Sequence, residues 1–107
     1  MKFIFRAPKL TTMHSGNLCI ELTEEGSWES FPGFAEEFSK QIGFEIIKRT
    51  DTVDIRIWKI EYLGQKFNLV YDNFPNGISL ESLSSSADPV LKILFEKILL
   101  ESAANGV

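Results

Sequence analysis

A chain of 107 residues, 44% hydrophobic and 24% charged, holds one globular domain and leaves no room for a second. Nine Phe, two Trp and two Tyr supply a core, because folding at this length hides roughly two-thirds of the surface the unfolded chain exposes. The lone Cys19 excludes an internal disulfide and any zinc site built from several cysteines, and a net charge of -4 argues against binding nucleic acid or an anionic membrane.

In chain order, Met1 to Lys9 carries only Phe3, Ile4 and Phe5 as an apolar run, far short of a signal-peptide core, so a cytoplasmic location is expected. Lys2 to Arg6 is the first candidate strand. Thr11 to Gly16, with the only histidine, His14, is polar and turn-like. Asn17 to Glu24 alternates, with Leu18, Ile20 and Leu22 on one side and Cys19, Glu21 and Thr23 on the other, which predicts a half-buried strand. From Ser30 to Gly43 the period changes. Phe31, Phe34, Ala35, Phe38 and Ile42 form one helical stripe, with Ser30 as cap, Pro32 and Gly33 in the first turn and Gly43 as the stop.

Phe44 to Leu83 reads as successive short strands. A two-residue turn at Gly64-Gln65 would pair Tyr62 with Phe67, Ile60 with Leu69 and Trp58 with Tyr71, all apolar or aromatic. A two-residue turn at Asn76-Gly77 would set Asp72 opposite Glu81 and bring Ile78 and Leu80 onto the aromatic face; a four-residue loop would keep Asp72 and Glu81 on one side. With the first register, Ile57 lies beside Asp72 and Lys59 faces Val70. A second helix begins with Asp88 as N-cap and Pro89 at the first position, followed by Leu91, Leu94, Phe95 and Ile98. Val90, Ile93, Leu99 and Leu100 widen its apolar stripe and predict packing on more than one side. Lys92, Glu96 and Lys97 interrupt any membrane span, and Ala103 to Val107 is expected to fray.

Residues 1–107 are thus expected to form a single α+β domain. Its architecture is an antiparallel sheet of about five to six strands with two helices on one face, in the order β-β-α-β-β-β-β-α.

Chemistry-bearing constellations are few. His14 has no orienting carboxylate or nucleophile at a motif-like position, and Cys19 reads as a small half-buried hydrophobe. The glycines are dispersed among turns and caps and do not form a phosphate cradle. Trp58, Phe67 and Tyr71 lack an accompanying basic groove and read as core rather than as a base-stacking platform. No catalytic residue, metal or cofactor is expected. Charge is more informative: between Leu18 and Glu45 seven glutamates face a single Lys40. Asp72 and Glu81, read as neighbouring like charges on one sheet face, would repel, so stability alone does not select them. That face would mix Ile57 and Val70 with Asp72, Glu81 and Glu21, a composition suited to a protein partner with a basic patch and equally compatible with plain solvated sheet.

The stretch Asp54 to Tyr62, Gly64, Phe67 to Phe74, Asn76 to Glu81 and the closing amphipathic helix, together with Trp28 and Phe34-Ala35-Glu36, resembles a small bacterial family. Some of its members are immunity proteins of contact-dependent growth inhibition systems. The resemblance implies a non-enzymatic cytosolic antidote that binds and blocks an incoming toxin domain, often a nuclease, and it carries over no toxin-contacting residue. An acidic small domain agrees in sign with a basic nuclease surface. Two other readings compete with it. One is a cytosolic adaptor or ligand-binding domain using the same uncovered face, and the other is an enzyme using Asp72 and Glu81 as a carboxylate dyad, which needs a cleft that an open sheet does not provide.

Overall fold

The computed structural model describes residues 8–23, 26–72 and 77–105. Its elements follow the order β1 (Lys9–Thr12), β2 (Leu18–Thr23), α1 (Phe31–Ile42), β3 (Glu45–Asp51), β4 (Ile55–Tyr62), β5 (Gln65–Asp72), β6 (Gly77–Ser82) and α2 (Asp88–Asn105). The strands form one antiparallel sheet in the order β1-β2-β6-β5-β4-β3. This is the expected α+β architecture. The candidate strand at Lys2 to Arg6 lies outside the described residues, and the first strand described is β1.

Hairpins join β3 through β6 into a meander, while β2 docks on β6 and leaves β3 at the opposite edge. The chain between β2 and β3 must therefore cross about 19 Å of sheet, four strand spacings. α1 fills that crossing, since its 12 residues span about 18 Å. Gly43 stops α1 in the left-handed region, at φ 93°, and its N–H donates to the Ser39 carbonyl. Lys97 of α2 donates to the Ile42 carbonyl at 2.7 Å, placing a cation where the helix dipole is negative and tying the two helices together.

Ser30 occupies the N-cap position of α1 without a side-chain cap; its hydroxyl instead bonds Ser27 Oγ at 2.7 Å. Nor is Asp88 an N-cap. It is already helical, the Leu91 N–H bonds the Ala87 carbonyl, and Ser84 Oγ accepts the Ala87 N–H. The helix itself continues to Asn105, further than the frayed tail expected from the sequence.

One apolar cluster unites both helices with one face of the sheet. Ile20, Leu22, Trp58, Ile60, Phe67, Leu69, Tyr71, Ile78 and Leu80 meet Phe31, Ala35, Phe38 and Ile42 of α1 and Leu91, Leu94 and Ile98 of α2. Tyr62, Phe34 and Phe95 pack at its margin. Phe31 stands edge-on to Trp58 at 5.0 Å and near Tyr71 at 6.1 Å, so these aromatics are core and not a stacking platform. α2 packs on one side only among the described residues: Ile93 and Leu100 remain exposed, because the sheet offers a single face to both helices.

The two meander registers differ from those expected. The first hairpin turns at Leu63-Gly64, with φ of 50° and 78°, the positive pair that a two-residue type I′ turn requires. Trp58 therefore pairs with Leu69 and Ile60 with Phe67. Between β5 and β6 the last pair is Asp72 with Gly77, so the connection is four residues long and the Asn76-Gly77 turn is not used as a two-residue loop.

Candidate functional site: the open face of the sheet

Alternation places the side chains opposite the core on a face that neither described helix covers. One row across it runs Lys9, Glu21, Ser79, Val70, Ile57, Thr50. The next row runs Thr11, Cys19, Glu81, Asn68, Lys59, Lys48, and on the other side Asp72 lies between Gly77 and Ile55. Glu21, Ile57, Val70, Asp72 and Glu81 thus share this face. Ile57 and Val70 are direct cross-strand partners, both half-buried, at its centre.

The expected repelling pair does not form. Glu81 pairs with Asn68, and Asp72 with Gly77 and Ile55, which separates Asp72 from Glu81 by four positions, about 13 Å along the strands. Ile57 lies beside Val70 rather than Asp72, and Lys59 beside Asn68 rather than Val70. The cause is where each turn falls: the β4–β5 turn is still two residues long but sits one residue earlier, and the β5–β6 connection is four residues instead of two, and both changes shift the pairing by an even number that preserves the face. A dyad of Asp72 and Glu81 has no geometry here.

Like charges do meet on this face, with the opposite sign. Lys48 and Lys59 are direct partners across β3 and β4, beside a register shift between Ile46 and Lys48. With Thr50, Ile57 and Asn68 they line a shallow groove of about 230 Å³. The side-chain oxygen of Asn68 is buried there without a hydrogen-bond donor among the described residues. Composition hides this feature, because the lysines are separated in sequence and only the pairing of β3 with β4 brings them together.

On the β2 side the face is acidic and partly dry. Burial pushes the Glu81 carboxyl above its ordinary value. Its neighbour Cys19 is buried, and burial followed by the charges of Glu81 and Glu21 pushes the thiol up to about 11. A protonated thiol is a poor nucleophile, so Cys19 behaves as the small hydrophobe its alternation predicts. His14 sits exposed in the turn after β1.

A second constellation escaped the sequence reading. On the helix side of the β3–β4 edge, Asp51 accepts the Trp58 indole N–H at 3.0 Å through one oxygen and the Arg56 guanidinium at 3.0 Å through the other. Arg56 stacks on Trp28 at 3.9 Å, and Arg49 lies over Trp58 at 4.8 Å while pairing with Glu36 at 2.8 Å. With its carboxylate engaged on both oxygens, this network seals the edge of the core. No group of three or more His, Cys, Asp or Glu among the described residues is placed to hold a metal ion. No helix among them is long and apolar enough to cross a membrane.

No curated protein and no solved structure matches the chain. Residues 9–98 match the model of a family described as protein of unknown function (DUF3630), and the chain belongs to that family.

Proposed function

We propose that this chain is a non-enzymatic binding protein of the cytoplasm that uses the open sheet face to grip a protein partner, specifically a toxin domain that it neutralises. The observation that carries the reading is the Ile57–Val70 pair, half-buried at the centre of a face that neither described helix covers, with Glu21 in its own row, Glu81, Lys59 and Lys48 in the row to one side and Asp72 to the other. Protein interfaces commonly have this anatomy, an apolar centre with a charged rim that selects the partner and speeds encounter. The narrower identification as an immunity protein rests on the family resemblance, and the acidic rim suits a basic nuclease surface.

The test pairs this chain with the toxin domain encoded directly upstream of its gene. Co-expression should protect cells, and the two proteins should co-purify. Val70→Asp should weaken the complex at least 30-fold, about 2 kcal/mol, with an unchanged near-ultraviolet circular dichroism spectrum. Asp72→Asn combined with Glu81→Gln should weaken it by a similar factor. Absence of both protection and complex formation overturns the proposal.

A further inference from the structure

The Lys48–Lys59 groove presents three unmet demands in one place. Lys48 and Lys59 are direct register partners on β3 and β4, and like charges at such positions cost stability in the free protein. Neither lysine has an ion pair or hydrogen bond among the described residues. Glu61, next along the same face of β4, lies in register between Glu45 and Lys66 and does not pair with Lys59. Glu81 is two strands away from Lys59, about 10 Å. Beside Lys59, the Asn68 side-chain oxygen is a buried acceptor lacking a donor among the described residues, a condition that costs free energy until a donor arrives. Thr50 and Ile57, themselves register partners, form the other wall with a hydroxyl and a half-buried aliphatic surface.

A ligand that satisfies all three carries a carboxylate for the lysines, an N–H for Asn68 and methylenes for Ile57. We infer that the groove is a subsite for an acidic side chain, a glutamate or aspartate of the protein partner, whose own backbone amide reaches the Asn68 oxygen as that closed-off side chain turns into the groove. This deepens the proposed function and rests on it: the partner's basic patch meets Glu21, Asp72 and Glu81, while its acidic residue enters the groove. Inorganic phosphate supplies the charge but not the aliphatic contact, so it should bind less tightly.

The test is a titration of the full-length ¹⁵N-labelled chain with N-acetyl-glutamate N-methylamide, followed by amide chemical shifts. Saturable shifts are expected at Lys48, Thr50, Ile57, Lys59 and Asn68, with a dissociation constant on the order of 1 mM that weakens with added salt. The glutamine counterpart should give none. Lys48→Gln and Lys59→Gln should each weaken binding at least about 5-fold without lowering the melting temperature, since each relieves the repulsion. The inference is overturned if the groove amides do not respond, if the glutamine probe binds equally well, or if phosphate binds as tightly. Loss of toxin binding with a responsive groove overturns the proposed function alone, and a silent groove in a chain that still binds its toxin overturns this inference alone.

Discussion

The carboxylate of Asp88 accepts the backbone N–H of Leu18 at 3.1 Å, joining the first turn of α2 to the start of β2 across 70 positions of sequence. An aspartate that sequence rules assign to capping its own helix thus fastens the C-terminal helix to a strand that belongs to the N-terminal half of the chain. Asp88→Ala should cost roughly 1.5–3 kcal/mol in chemical denaturation, the range for a hydrogen bond to a charged group, and Asp88→Asn should retain much of the stability. Equal losses in the two variants would mean that charge, and not the acceptor, is what matters.

Asp51 should be as sensitive. Asp51→Ala leaves the indole N–H of Trp58 and the guanidinium of Arg56 without their acceptor, which costs about 1–3 kcal/mol for each group left unpaired. Trp58→Ala should cost about 3–5 kcal/mol, because a nearly fully buried ring is removed from the core. Denaturation midpoints measured side by side check both, and a Trp58→Ala midpoint close to that of the parent would overturn the core assignment.

Leu63 occupies a left-handed position, φ 50°, while 63% exposed, so it bears strain without repaying it by burial. Leu63→Asn should raise stability by about 0.5–1 kcal/mol, as asparagine tolerates that conformation and favours two-residue hairpins. Thermal melts of the two proteins read this directly.

Cys19 should resist modification. With its pKa pushed from 9.0 to about 11, the folded thiol carries about 100-fold less thiolate at mildly alkaline pH than the unfolded chain. Labelling by a disulfide reagent should accelerate by at least that factor on adding denaturant. Comparable rates before and after would show that the β2–β6 region opens readily.

Glu81 gives the pH dependence a definite sign. Its folded-state pKa lies above the ordinary 4.5 because burial disfavours the carboxylate, so the folded protein holds the proton more tightly than the unfolded chain does. Its contribution is present below 4.5 and is lost as pH rises through the raised value. Glu81→Gln should therefore raise the melting temperature at neutral pH and leave it nearly unchanged in acid. A variant that is destabilised at neutral pH would indicate that the carboxylate is held by a favourable partner.

Which side chains are buried was legible from the sequence because strand side chains alternate with a period of two. The two hairpin registers expected from turn signals were displaced, yet each by an even number of positions, so Trp58, Ile60, Phe67, Leu69, Tyr71, Ile78 and Leu80 all reach the core as predicted. The stripe of α1 and its glycine stop were equally local. Pairing is a different quantity. It depends on the position and length of each turn, on the bulge in β3 and on β2 docking beside β6, and those follow from how the whole sheet closes over its helices. Tertiary structure alone therefore decided that Asp72 and Glu81 stand apart, that Lys48 meets Lys59, and that Asp51 holds both Trp58 and Arg56. A residue's face is set by its own strand, whereas its neighbour is set by another.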